Sequence, residues 1–403
     1  MRVQGLVAMA VVMAGAGQAF GADTQVNWLD KSPPTMPVGV SWGVPFAQGT
    51  VQKGQMFSLK AGGNSLPVQS WPLGYWPDGS IMWEGFATVG GPEVTGPVTI
   101  GVADGQAEQK GLIVQVKQDD AGVTIDTMKL QCRILRSGAN LFESMSVDGK
   151  EVAKNGRLEA IDQDGPDDPT GTAPGRTPYG SKVTKVTVEQ TGPVRAVVKI
   201  EGMHMGLGPK ADTQRSWLPF TVRLYFYAGQ APVRMVETTI FDGDQQKDFI
   251  KGLAFTADVP MREQSQNRHV RFANSNGGVW AEPLQLMVAR GGRGQGGGNQ
   301  IEGQALPNTQ NPPESAEWDA FRLDQLSSEG FTLVKRTNPK SSWVGVAEGQ
   351  RAAGLAFIGD TSGGLGVGLK NFWQSYPASI EIDGALTPTA HVHVWMWSPD
   401  AHA

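Results

Sequence analysis

Trp71-Pro-Leu-Gly-Tyr-Trp-Pro-Asp-Gly-Ser-Ile-Met-Trp83 is the most specific stretch of this chain. Trp71, Trp76 and Trp83 frame Pro77-Asp78-Gly79, a tripeptide whose residues suit a tight turn: proline presets φ, aspartate bonds its own backbone, and glycine takes the left-handed position. After the turn Ile81, Trp83 and Phe86 resume an apolar run. The segment therefore reads as a β-hairpin corner, with its tryptophans assigned to a core.

The composition carries the same message through the chain. Its 403 residues include 53 Gly and 26 Pro, punctuation that suits short strands and turns better than long helices. The length allows two or three domains and a sizeable core. A charged fraction of 18% with a formal net charge of -5 leaves no basic stripe to neutralise phosphates, which excludes nucleic acid. It likewise excludes a polybasic membrane anchor. At the N-terminus Arg2, the apolar stretch Leu6 to Ala16 and the small-x-small Ala19-Phe20-Gly21 read as an export signal over residues 1–21. The mature chain is thus expected to be secreted or periplasmic. The single cysteine, Cys132, excludes an internal disulfide, and strand alternation around it predicts a small core residue.

Short strands broken by Gly and Pro occupy a first unit at 30–106. From 111 to 400 the strands lengthen, with Asp119-Asp-Ala-Gly122 and Asp148-Gly149 as hairpin turns. Residues 162–181 read as a surface loop, 290–311 as a flexible Gly-rich insert, and 314–326 as the one modest helical pattern. The fold class expected is all-β: a small barrel followed by a large antiparallel β-sandwich.

Period-two alternation sorts the long strands into faces. Arg223, Tyr225 and Tyr227 share the face opposite Val222, Leu224 and Phe226, a combination suited either to a uronic acid or to an interdomain contact. His204 lies just past the strand that carries Arg195, Lys199 and Glu201. In the final strand His391, His393, Trp395 and Trp397 share one face. Two histidines at i and i+2 lie about 6–7 Å apart at Cα, so a divalent cation stays open; no third ligand is identifiable and no cofactor is predicted. Lys370, Trp373, Gln374 and Tyr376 place a cation, a stacking platform and hydrogen-bonding groups within seven positions, the mixture a sugar site needs.

Several segments together resemble one family. Gly39-Val-Ser-Trp-Gly-Val-Pro-Phe-Ala-Gln-Gly49 and the Trp76 to Trp83 run are similar to the N-terminal RIFT barrel of exo-rhamnogalacturonan lyases and YetA-like proteins, grouped with polysaccharide lyase family 26. Gln190 to Ala196, Phe241 to Asp244, Asn371 to Pro377 and Trp395 to Asp400 resemble the central β-sandwich of that family. Its members carry a helical α/α toroid after the sandwich. The sequence given ends at Ala403, where that domain would be approached, so a truncated form is expected, with a missing or separately encoded helical domain as a partner.

The resemblance implies β-elimination on a uronic-acid-containing pectic polysaccharide. That chemistry requires a neutraliser for the carboxylate, a base for the C5 proton and an acid for the leaving oxygen. From residue chemistry alone, Arg223 or Lys370 is assigned as neutraliser and Tyr225 or His204 as proton carrier. Trp373, Gln374, Tyr376, Trp395 and Trp397 are assigned to substrate binding, the ligand being a polysaccharide or oligosaccharide. The alternative is a noncatalytic module that binds glycan or a partner protein. A hydrolase is a third option, needing a carboxylate pair about 5–10 Å apart.

Overall fold

The computed structural model describes residues 23–103, 111–167, 171, 173–207, 215–273, 277–285 and 317–401. The export signal at 1–21 and the Gly-rich insert at 290–311 lie outside the described residues. The all-β expectation holds: the described residues contain strands and one 3₁₀ turn, Ser265–Asn267.

The first unit holds β1 (Asp23–Val26), β2 (Val38–Pro45), β3 (Met56–Ala61), β4 (Asn64–Leu66), β5 (Gln69–Tyr75), β6 (Ile81–Gly90) and β7 (Val98–Ala103). They form two sheets, β1-β7-β3-β4 and β2-β6-β5, which close on a shared core. In that core Trp42 stacks on Phe86 with centroids 5.8 Å apart, and Phe57 meets Phe86 edge-on at 5.0 Å. The predicted corner is present: Trp76 N–H donates to Ser80 O, Gly79 N–H donates to Trp76 O, and Gly79 takes φ +85°. Trp76 itself donates Nε1–H to Phe46 O at 2.9 Å.

One expectation for this corner is corrected. Trp83 is 41% exposed and Trp71 faces outward, so neither belongs to the barrel core. The register supplies the reason. Tyr75 pairs with Ile81 and Gly74 with Trp83, leaving Met82 as an extra residue that reverses the alternation after Ile81.

The second unit begins with β8 (Gln115–Gln118), β9 (Gly122–Asp126), β10 (Leu130–Leu135) and β11 (Phe142–Val147). Long strands follow: β12 (Lys150–Gln163), β13 (Arg176–Thr191), β14 (Arg195–Gly206), β15 (Ser216–Tyr227), β16 (Arg234–Thr239) and β17 (Phe249–Pro260). Then come β18 (His269–Ala273), β19 (Val279–Pro283), β20 (Ala320–Gln325), β21 (Phe331–Arg336) and β22 (Val344–Gly349). The last are β23 (Leu355–Asp360), β24 (Gly363–Gly368), β25 (Ala378–Asp383) and β26 (Thr389–Trp397).

A broad antiparallel sheet runs β16-β15-β14-β13-β12-β17-β26-β25-β20-β21-β22, with β8 to β11 continuing from β12. The inner face of one half packs on β8 to β11 around Phe142, Ile200, Val222 and Phe226. The other half packs on the separate sheet β19-β18-β23-β24 around Phe272, Phe321, Ile358 and Ile380. Asp148 and Gly149, both with positive φ at 50° and 73°, make the hairpin turn expected between β11 and β12.

Two sequence assignments change. Residues 320–325 form a central strand between β21 and β25 rather than a helix, because Phe321, Leu323 and their neighbours are buried in a sheet that pairs both edges. The loop assigned to 162–181 is shorter, since β13 already starts at Arg176.

Candidate functional site

The outer face of the broad sheet concentrates its ionisable groups where β12, β17, β26, β25, β20 and β21 lie side by side. Registry decides which side chains meet. Asp258 pairs with His391 and Thr256 with His393 from β17, while Asp383 and Glu381 pair with the same two histidines from β25. On β20, Arg322 lies opposite Glu381. Alternation on β26 puts Ala390, Val392 and Val394 into the core and turns the histidines outward.

The two histidines have different surroundings. His391 Nδ1 lies 3.0 Å from Asp258 Oδ1. Asp258 is held in turn by Arg157 Nη1 at 3.1 Å and Asn155 Nδ2 at 2.9 Å. This carboxylate fixes the imidazole through Nδ1, the arrangement of an oriented proton carrier. The side chain of His391 is 40% exposed, within reach of a ligand.

His393 lies deeper. Its Nδ1 is 3.1 Å from Thr256 Oγ1 and 3.7 Å from Glu159 Oε2, and its Nε2 is 3.5 Å from Asp383 Oδ1. Burial alone would lower its pKa, but the two carboxylates outweigh burial and push it up to about 9. At neutral pH His393 is therefore an imidazolium. Reciprocally, burial would raise Glu159 and Asp383, and His393 holds both below the ordinary carboxylate range.

Farther along the face, Arg322 pairs with Asp324 at 2.8 Å and Asp400 at 2.5 Å. Burial pushes Asp324 up to about 6 against the opposing pull of Arg322. Arg322 and Arg336 both cover the Trp343 ring, at 4.7 and 4.2 Å from its centroid. Trp395 stacks almost parallel to His393, with centroids 6.0 Å apart, and is buried; Trp397 at the strand end is 42% exposed. Tyr376, 47% exposed, leads into β25 beside it, where Ser398 N–H donates to Pro377 O at 2.9 Å. The face thus combines an oriented imidazole, a fixed cation and the Trp395 ring stacked beside that cation. Among the described residues no three His, Cys, Asp or Glu side chains are arranged to hold a metal ion.

The sequence candidates separate into groups. Trp395 belongs to this face, whereas Trp397 pairs with Leu253 across a bulge that follows Trp395 and so turns to the side of β26 opposite the histidines, which corrects the shared face expected of it; Tyr376 is exposed just before β25. Lys370 and Gln374 are exposed on the turn before β25, and the Trp373 ring there is covered by Arg351 at 4.3 Å. Arg223 makes a two-point ion pair with Glu189, at 2.9 and 3.0 Å. Tyr225 sits between Arg195 and Arg234, each 5.5 Å from its ring, beside the first unit. This favours the interdomain reading of that face.

His204 is corrected outright as a proton carrier. It is fully buried, packs edge-on against Phe220 and has Nδ1 2.8 Å from Leu218 O. Strand β14 continues to Gly206, and the even positions along it point into the core. Burial accordingly lowers its pKa.

Sequence reasoning flagged the histidine pair and missed its acidic partners. Asp258 and Thr256 are polar at alternate positions of the otherwise apolar Phe249–Pro260, a signal that could have marked an outward row. Only pairing shows that this row meets the histidines.

The PcRGLX-like central β-sandwich domain model matches residues 114–403, and the PcRGLX-like N-terminal RIFT barrel model matches residues 22–103. The chain is also 33% identical over 389 residues to uncharacterized protein YetA of Bacillus subtilis (strain 168), covering 94% of this chain and 44% of that protein. It thus spans less than half the length of this curated relative. With the barrel and sandwich both matched and the all-β topology in agreement, the chain belongs to the PcRGLX-like family.

Proposed function

We propose that the outer face around β26 is one wall of a site for an acidic pectic polysaccharide, acting by β-elimination as in rhamnogalacturonan lyases. The observation that carries this reading is the pairing of an Asp258-oriented His391 with the imidazolium of His393 two residues away. His391 Nε2 is the proton carrier at C5 or at the leaving oxygen. His393 supplies positive charge next to the developing enediolate. A helical domain of the kind the resemblance implies would form the facing wall. The protein would work outside the cytoplasm, after removal of the leader near Gly21.

The exposed Trp397 and Tyr376 also favour the second reading, a noncatalytic glycan-binding module. One assay separates the two. The chain is incubated with rhamnogalacturonan and the absorbance of unsaturated uronides is followed. Lyase activity predicts their appearance, with His391→Ala slowing it about a hundredfold or more. Binding without unsaturated product sinks the lyase reading for this chain and leaves the module.

A further inference from the structure

Strand β12 contains a bulge whose product is a pair of side chains on the outer face. Lys154 pairs with Asp258 and Arg157 with Thr256, so a step of three residues on β12 spans a step of two on β17. Asp258 and Thr256 both face the histidines, and the extra residue brings Arg157 and Glu159 to the same side while Leu158 and Ala160 enter the core. Unbroken alternation from the buried Ala153 would have sent Arg157 and Glu159 inward. The irregularity sits at Asn155 and Gly156. Asn155 takes a left-handed φ of 52°, a conformation that asparagine tolerates better than most residues. A Cβ at Gly156 would stand 2.0 Å from the Phe142 ring, so the bare backbone there lets the bulge settle on the core.

The side chains on either side of Gly156 close on one carboxylate. Asn155 Nδ2 donates to Asp258 Oδ2 at 2.9 Å, and Arg157 Nη1 donates to Asp258 Oδ1 at 3.1 Å. The Asn155 amide is itself oriented, since Asn140 Nδ2 donates to its Oδ1 at 3.2 Å. Arg157 Nη1 also reaches Asn155 O at 3.2 Å, which ties the guanidinium to the bulge backbone. Meanwhile Arg157 Nε donates to Glu159 Oε1 at 2.9 Å, so one guanidinium holds an acidic partner of each histidine. Burial would raise the Asp258 carboxyl, but Asn155, His391 and Arg157 outweigh it and hold the group below the ordinary carboxylate range. An ionised carboxylate only accepts. In a neutral His391, Nδ1 therefore carries the proton and Nε2 the lone pair.

We propose that the Asn155-Gly156-Arg157 bulge is a positioning element: it clamps both oxygens of Asp258 and so holds His391 in the one tautomer whose Nε2 can accept a proton. The role given to the clamp rests on the proton-carrier reading of His391, whereas the tautomer is measured without substrate. Nitrogen-15 NMR of the whole chain at alkaline pH reads it, with His391→Gln assigning the signal. The parent should show Nδ1–H alone. Asn155→Gly keeps the positive φ and removes one donor, and Arg157→Lys keeps the charge and removes the fork. Together they should return His391 to a mixture dominated by Nε2–H, the form a free histidine side chain prefers, and each alone should show part of that change. Circular dichroism checks the fold, and the single variants decide the matter if the double variant does not fold. On rhamnogalacturonan the double variant should lose about tenfold or more in kcat with KM unchanged. A parent that makes no unsaturated uronide yet shows the tautomer change upholds the clamp and sinks only the lyase reading. A mixed tautomer in the parent, or Nδ1–H alone in every variant, overturns the clamp.

Discussion

His391 and His393 show how far a side chain's chemistry is set by its cross-strand neighbours. Both were visible in the sequence as outward residues of one strand. Their different roles were not, because Asp258 is 133 positions from His391 and reaches it only by pairing of β17 with β26. The ordinary histidine pKa is about 6.5, and that of folded His393 is about 9. Its ion pairs therefore contribute fully below about pH 6.5, and the contribution is lost as pH rises through about 9. His393→Gln should lower stability by about 2 kcal/mol at pH 6 and by much less near pH 10. Denaturant unfolding across that range checks this. Parallel curves for the parent and the variant would refute the charged state.

At the scale of the element, irregularities decide what alternation can predict. The hairpins at Asp119 and Asp148 and the inward row of β26 were legible because turn chemistry and period two are local. Trp83 was misplaced because the extra residue Met82 reverses the faces of β6, and His204 because β14 runs on to Gly206. Glycines in strands carry the complementary signal: a missing side chain marks the close approach of something else. Gly39→Ala on β2 should cost about 2 kcal/mol or more, since its Cβ would collide with a ring held by its own hydroxyl bond to Ser41. Thermal unfolding of the variant measures it. An unchanged midpoint would mean that Tyr227 has room to move.

At the scale of the molecule, barrel and sandwich were readable from motifs spread over most of the chain, whereas the junction between them was not. It rests on Arg195, which donates to Ser41 Oγ at 2.7 Å and Gln190 Oε1 at 2.9 Å while covering Trp71. Gln69 Oε1 adds bonds from the backbone N–H of Val194 and Arg195, at 3.0 and 2.7 Å. Burial holds the pKa of this guanidinium below its ordinary value. A cation so desolvated favours a specific geometry as much as stability. Arg195→Ala should uncouple the two units, so that calorimetry resolves two transitions in place of one. A single transition at an unshifted midpoint would show that the apolar contacts couple them unaided.

The contact between Gly39 and Tyr227 has a historical consequence as well as a mechanical one. A residue with no side chain on one domain and a flat ring on the other form a lock whose halves cannot drift separately. Any Cβ at the first position evicts the ring, and loss of the ring leaves a bare strand facing a void. Descendants that keep both halves inherit the angle at which the two domains meet. Those that fill the first must have reset that angle, and with it whatever surface the barrel presents beside the sandwich.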